Sequence, residues 1–146
     1  MESNIRTKTT SDSYCNEFDI VYSLPQLKKC PIEVTFKIIG KRWTALILRE
    51  MFKGNKQFNR ILENIGGITS KVFTERMKEL QELGIVKRVL VSESPVRIIY
   101  ELTPLGEELR PILLVAAAFS MKHLPKEVFK DGKPYAINLS AKPYVR

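Results

Sequence analysis

The stretch that most limits what this chain can fold into is "ITSKVFTERMKELQELG", residues 68–84, which follows the pair Gly66–Gly67. It carries its own start and stop. Thr69 is an N-cap candidate, because its hydroxyl can satisfy an amide that has no partner within the helix. Gly84 tolerates the left-handed backbone that ends many helices. At about 100° per residue, Phe73, Met77, Leu80 and Leu83 share one side. Ser70, Lys71, Thr74, Lys78 and Gln81 fall on the other, and the acids Glu79 and Glu82 come later. Such a helix buries one side and presents a short, hydrogen-bonding, positive strip on the other.

The neighbours of this helix narrow the architecture. "KQFNRILENIGG" predicts a short helix with Phe58, Ile61, Leu62 and Ile65 inward, and Gly66–Gly67 a turn. Two helices joined by a three- or four-residue turn, the second opening on polar side chains, form a helix-turn-helix pattern. Upstream, Trp43, Leu46, Ile47, Leu48, Met51 and Phe52 cover much of one helix circumference, which fits a helix packed among others. Earlier still, Pro31 suits the first turn of a helix running to about Gly40, with Val34, Ile38 and Ile39 inward. After Gly84 the period changes. "IVKRVLV" and "VRIIYEL" are rich in β-branched and aromatic residues, and "SESP" separates them, so a β-hairpin is expected.

Thr103-Pro104 then reads as a cap and first turn of a helix to about Leu124. Its "PILLVAAAFSM" is apolar nearly all round. One side covers the domain; the other needs a second subunit or, failing that, the N-terminal segment of the same chain. The expected fold is therefore α+β, mainly α: a winged helix-turn-helix with N- and C-terminal dimerisation helices. Residues 1–29 read as an N-terminal arm with a loose polar start. Residues 30–124 read as the winged domain with its dimerisation helix, and 125–146 as a tail.

The net charge is +8, and residues 26–65 alone hold nine bases against three acids. A basic block ahead of a polar helix start suits a polyanionic partner; the plainer reading is that the charge serves solubility. In B-DNA the major groove, about 12 Å wide, admits one α-helix, and the helix start enters it first. Ser70 and Thr74 would then meet bases, Lys71 and Lys78 guanine or phosphate, with the helix-start amides adding partial positive charge. The hairpin tip "SESPVR" becomes the wing, stiffened by Pro95, with Arg97 directed to a minor groove. Taken alone, the strip on the helix is equally a solvated face; turn, hairpin and basic block together favour double-stranded DNA as partner. The rival function is a winged helix used for protein–protein contact.

Other classes find little support. The only histidine is His123, with no ligand set at metal spacing around it. No nucleophile stands beside a base, and no phosphate-binding glycine loop is present. Neither an enzyme nor a cofactor is expected. The longest apolar run, Ile112–Phe119, is far short of the roughly 20 residues of a membrane span. No secretory signal is evident and Cys15 and Cys30 form no framework, so a cytoplasmic protein is expected.

In "CPIEVTFKIIGKRWTALILREMFKG", "KQFNRIL", "GGITSKVFTERMKELQELGIVKR" and "SPVRIIYELTPLG" the chain resembles the HxlR-type winged-helix transcriptional regulators, relatives of the MarR group. The pieces cover about residues 30–106 in that family's order and spacing. The resemblance implies a homodimer on a short inverted repeat. It places the recognition helix at Thr69–Leu83 and the wing at Ser92–Arg97. Lys41 and Arg42, at the basic start of the second helix, would hold phosphate. Arginine often precedes the position of Phe58 in that family; here Gln57 stands there, with Lys56 one residue earlier as the nearest cation. Val96 replaces a usual second wing proline, and Phe73 and Met77 replace usual leucines. In some members a cysteine at the position of Cys30 senses oxidants or electrophiles. A thiol at a helix start has reason to be acidic, and Lys28 and Lys29 would add to this; the plainer reading is a packed cysteine. An oxidant or small-molecule effector is compatible with this pattern.

Overall fold

A computed structural model describes residues 22–137 and residue 139. Cys15 and most of the expected N-terminal arm, with the last residues of the tail, lie outside the described residues. The chain divides into two compact units, one up to Gly40 and one from Lys41 onward.

In the first unit Pro31 opens α1, Pro31–Ile39, where its missing N–H costs nothing. Glu33 and Lys37 pair one turn apart at 2.9 Å. Ile39 is buried, but Val34, expected inward, is 46% exposed, and its neighbours Ile32 and Phe36 are exposed too. Among the described residues α1 therefore lacks a cover for much of its apolar surface.

The second unit begins with α2, Thr44–Phe52, followed by α3, Phe58–Ile65, and α4, Ser70–Glu82. The core gathers Ile47, Leu48 and Met51 from α2, Ile61 from α3, and Phe73, Met77 and Leu80 from α4. Phe58 meets Phe73 edge-on, with ring centres 4.5 Å apart, an arrangement that suits the ring quadrupoles. Leu83, placed inward by periodicity, is 47% exposed because the helix has ended and it occupies the C-cap.

Strands β1, Val86–Glu93, and β2, Val96–Leu102, form the antiparallel hairpin, from Val86 opposite Leu102 to Glu93 opposite Val96. Pairing shifts between Leu90 and Ser92, so Val91 is an extra residue that bends the wing. The strands run further than the hydrophobic pattern indicated, leaving only Ser94–Pro95 as the tip. The other edge of β2 is also met: the Tyr100 amide donates to the Lys56 carbonyl at 2.8 Å. The loop between α2 and α3 thus ties the wing to the helices.

Thr103 closes the hairpin. Its hydroxyl donates to the Gly84 carbonyl at 2.6 Å and accepts from the Gly106 amide at 3.1 Å. Gly106 lies so close to the Ile85 carbonyl that a Cβ would collide with it. The helix expected to run unbroken to Leu124 is instead two: α5, Pro104–Glu107, and α6, Arg110–His123. Pro111 explains the break. In a continuous helix its ring would strike the Glu107 carbonyl, whereas restarting puts it in a first turn. A short α7, Pro125–Val128, follows. Beyond it the chain folds back, the Tyr135 amide donating to the Met121 carbonyl of α6 at 3.2 Å.

Candidate nucleic-acid interface

Gly66 and Gly67 both adopt positive φ, +64° and +71°. That backbone, which glycine adopts without steric penalty, reverses the chain between α3 and α4. The Thr69 hydroxyl then accepts from the Val72 amide at 3.3 Å, the capping role its position suggested. With Phe73, Met77 and Leu80 buried, Ser70, Lys71, Thr74 and Lys78 are all exposed on the other side. The Thr74 hydroxyl donates to the Ser70 carbonyl at 2.8 Å, so it faces outward as an acceptor. Lys78 lies 3.9 Å from Glu82, a loose exposed pair. Glu75 is exposed among these residues too and moderates the charge of the strip.

The structure treats the other cations in different ways. Lys41 pairs with Glu79 of α4 at 3.1 Å, and Arg76 grips both oxygens of the same carboxylate, at 3.0 and 2.9 Å. The Lys41 hydrogen bond leads in holding the Glu79 carboxyl below its ordinary range. Lys56 pairs with Glu101 of β2 at 2.6 Å, and Lys87 joins at 3.2 Å; the Lys56 bond leads in lowering Glu101. Both lysines are therefore engaged within the chain. Arg42 stacks its guanidinium 4.6 Å from the centre of the Trp43 ring. Trp43 itself has φ +82°, a costly conformation for a bulky side chain. Its ring edge approaches Gly67, within 3.6 Å of where a Cβ would stand, so it backs the turn that aims α4. Arg97 stands in the wing opposite Ser92, without an ion-pair partner among the described residues.

Sequence reasoning missed Glu50. It is fully buried in α2 and yet surrounded by donors. Arg49 reaches it at 3.0 Å, Lys53 at 3.1 and 3.2 Å, Asn55 at 2.9 Å and Asn64 at 3.1 Å. Burial acts to raise its pKa, but the bonds from Lys53, Asn64 and Arg49 outweigh it and the carboxyl titrates below its ordinary value. This cluster fastens α3 to α2. Its one sequence signal was an acid within the apolar run "LILREM".

In the first unit Cys30 holds the N-cap position of α1, half-buried and not disulfide-bonded. Its sulfur is 3.0 Å from the Tyr22 hydroxyl. That contact first, then the Glu33 amide of the helix start, lowers the thiol pKa. Tyr22, rather than the neighbouring lysines, is the main cause, and its separation of eight residues hid it from any reading of local spacing. Among the described residues no group of three metal-ligating side chains gathers, and no helix is long and apolar enough to cross a membrane.

The family described as HxlR-like helix-turn-helix matches residues 38–128. The HTH-type transcriptional regulator YodB of Bacillus subtilis is 42% identical over 84 residues, 57% of this chain and 75% of that protein. The structure of reduced YodB superposes with a TM-score of 0.58 at 35% identity, covering 72% of this chain and 99% of that one. The redox regulator HypR in its oxidized form gives 0.59 at 33% identity, covering 62% and 94%. YodB has also been solved after diamide treatment and with quinone bound.

Proposed function

The chain belongs to the HxlR-like helix-turn-helix family and is a DNA-binding transcriptional regulator; from that premise we propose how its surface meets an operator. The carrying observation is the outer face of α4, where Ser70, Lys71, Thr74 and Lys78 stand exposed over a buried Phe73–Met77–Leu80 side. The start of α4 enters a major groove, Lys71 and Thr74 read base edges, and Ser70 and Lys78 hold its flanks. The wing lies along the neighbouring minor groove and brings Arg97 to the phosphates at its edge. Arg42, held flat on Trp43, faces phosphate. Lys41 and Lys56 contribute after yielding part of their bonds to Glu79 and Glu101, so they act more weakly than exposed, unpaired lysines would.

The working unit is a homodimer in the cytoplasm, bound to an inverted repeat. Among the described residues none of α6 is buried, and Val115 and Phe119 are 60% and 59% exposed. An apolar helix left bare in this way is what a twin helix covers. Cys30 is the redox candidate: an acidic, half-buried thiol at a helix start, in a family whose relatives include the redox regulator HypR.

Selection of bound sequences from a random duplex pool tests the reading. A palindrome with half-sites about 10 bp apart is expected, with affinity falling on the order of 10³–10⁵ between 50 and 200 mM salt if the dimer neutralises about 6–10 phosphates. Lys71→Ala should lower affinity for the selected site more than for random DNA, and Arg42→Ala should lower both alike. Failure to bind any duplex at low salt would leave a protein-contact module as the better account.

A further inference from the structure

A cleft of about 370 Å³ opens between the start of α3 and the wing, lined by Lys56, Gln57, Arg60, Val91, Arg97 and Ile99. We propose that it seats one backbone phosphate of the bound duplex, held between Arg60 of α3 and Arg97 of β2. The inference rests on the DNA-binding reading above and adds a contact to it.

Three cations line the cleft and no carboxylate does. The lysine is already satisfied: Lys56 and Lys87 share the Glu101 carboxylate outside the lining. Arg60 and Arg97 have no ion pair or hydrogen-bond partner for their guanidinium groups among the described residues. They come from different elements and are 37 positions apart, so local helix or strand geometry does not account for their meeting. Two unneutralised guanidiniums facing one cleft repel each other, while a shared phosphate would turn that repulsion into paired, charge-assisted bonds. The first turn of α3 supports the same ligand. It contains no acid, and Gln57 at its N-cap makes no side-chain cap, so its leading amides and the Gln57 carboxamide remain available to an anion.

The location favours a polymer phosphate over a free one. Arg60, Gln57 and Arg97 are all exposed, so the cleft is a trough that a strand crosses. Its two walls are each joined to a part of the DNA-binding surface. α3 is clamped to α4 through Phe58 and Phe73, and the wing is tied to the α3 entry by the Tyr100–Lys56 backbone bond. A phosphate seated there fixes the angle between α4 in one groove and the wing in the next. Arg60 thus becomes a positioning contact that the sequence reading did not include.

The test uses full-length protein and its selected duplex, with Arg60→Ala, Arg97→Ala and the double variant. Both side chains are exposed and unpartnered, so thermal melting should be unchanged. Each single variant should raise Kd about 3- to 10-fold on selected and random DNA alike and reduce the salt slope by about 1 per subunit. The double variant should lose less than the product of the two, because both act on one phosphate. Replacing duplex phosphates one at a time with neutral methylphosphonate should reveal one position per half-site that weakens the wild type, weakens Arg60→Ala less and leaves the double variant indifferent. If Arg60→Ala keeps the wild-type salt slope while Lys71→Ala still weakens binding, the seat is wrong and the DNA-binding reading stands. If the wild type binds no duplex, both fall. If inorganic phosphate alone shifts the Arg60 and Arg97 side-chain resonances at millimolar concentration and no methylphosphonate position depends on Arg60, the trough takes free phosphate and the DNA seat is overturned.

Discussion

Cys30 shows how much one distant side chain changes a residue's chemistry. A helix start alone lowers a thiol pKa by supplying amides, and Glu33 supplies one here. The larger contribution comes from the Tyr22 hydroxyl at 3.0 Å. Because the shift is downward, a greater share of the sulfur is thiolate at neutral pH than in an ordinary cysteine. Tyr22→Phe should therefore move the pH profile of iodoacetamide alkylation at Cys30 upward and slow the reaction near neutrality. In the same preparations oxidant should weaken DNA binding by the wild type, act more slowly on Tyr22→Phe and leave Cys30→Ser unaffected. An unchanged oxidant response in Cys30→Ser would remove Cys30 as the sensor.

At the scale of elements, two carboxylates hold the helices in place. Glu79 links the segment leading into α2 to α4 through Lys41, three residues ahead of that helix, and Glu50 links α2 to α3 through Asn64 and to the intervening loop through Asn55. Glu50 is the stronger fastening because it is buried, where an unmet donor costs about 1–3 kcal/mol. Glu50→Gln keeps the shape but turns an amide toward Lys53 and the two asparagines, so a loss of about 1–3 kcal/mol at neutral pH is expected in urea unfolding. The sign of the pH effect follows from its lowered pKa. A carboxyl more acidic in the folded state stabilises above its unfolded pKa, and that contribution is lost as pH falls through the folded one. The wild type should therefore lose stability as pH drops below about 4.5, the ordinary glutamate value. Glu50→Gln should show a flatter profile, with Glu79 and Glu101, both lowered, accounting for the slope that remains. Parallel profiles in the two proteins would show that the Glu50 pKa is the same folded and unfolded, against the lowered value.

For the whole molecule, the unresolved demand is apolar surface. Among the described residues α6 has none buried, and Ile32, Val34 and Phe36 of α1 are also exposed. Exposed apolar area of this kind is expected at an interface between subunits. Phe119→Glu changes a 59% exposed side chain that, among the described rings, neighbours His123 alone, so the fold should persist. The variant should sediment as a monomer and lose the advantage of an inverted repeat over a single half-site. A Phe119→Glu protein that remains dimeric would place the interface elsewhere.

The sequence by itself determined the order and type of the elements from Pro31 to Leu102, the turn at Gly66–Gly67, the cap at Thr69 and the exposed strip of α4. Each depends on local physics: a 3.6-residue period, a two-residue period, or a backbone angle that only certain residues take easily. Only the tertiary structure decided which charges are available. Lys41 and Lys56 look as unengaged in sequence as Lys71 and Arg97, but partners 38 and 45 positions away occupy them. It also decided that Glu50 is buried, that Tyr22 reaches Cys30, and that Arg60 and Arg97 line one trough. Periodicity assigns a side chain to a face; which charge it meets there depends on how separate elements pack, and electrostatic attraction depends on that distance rather than on position along the chain.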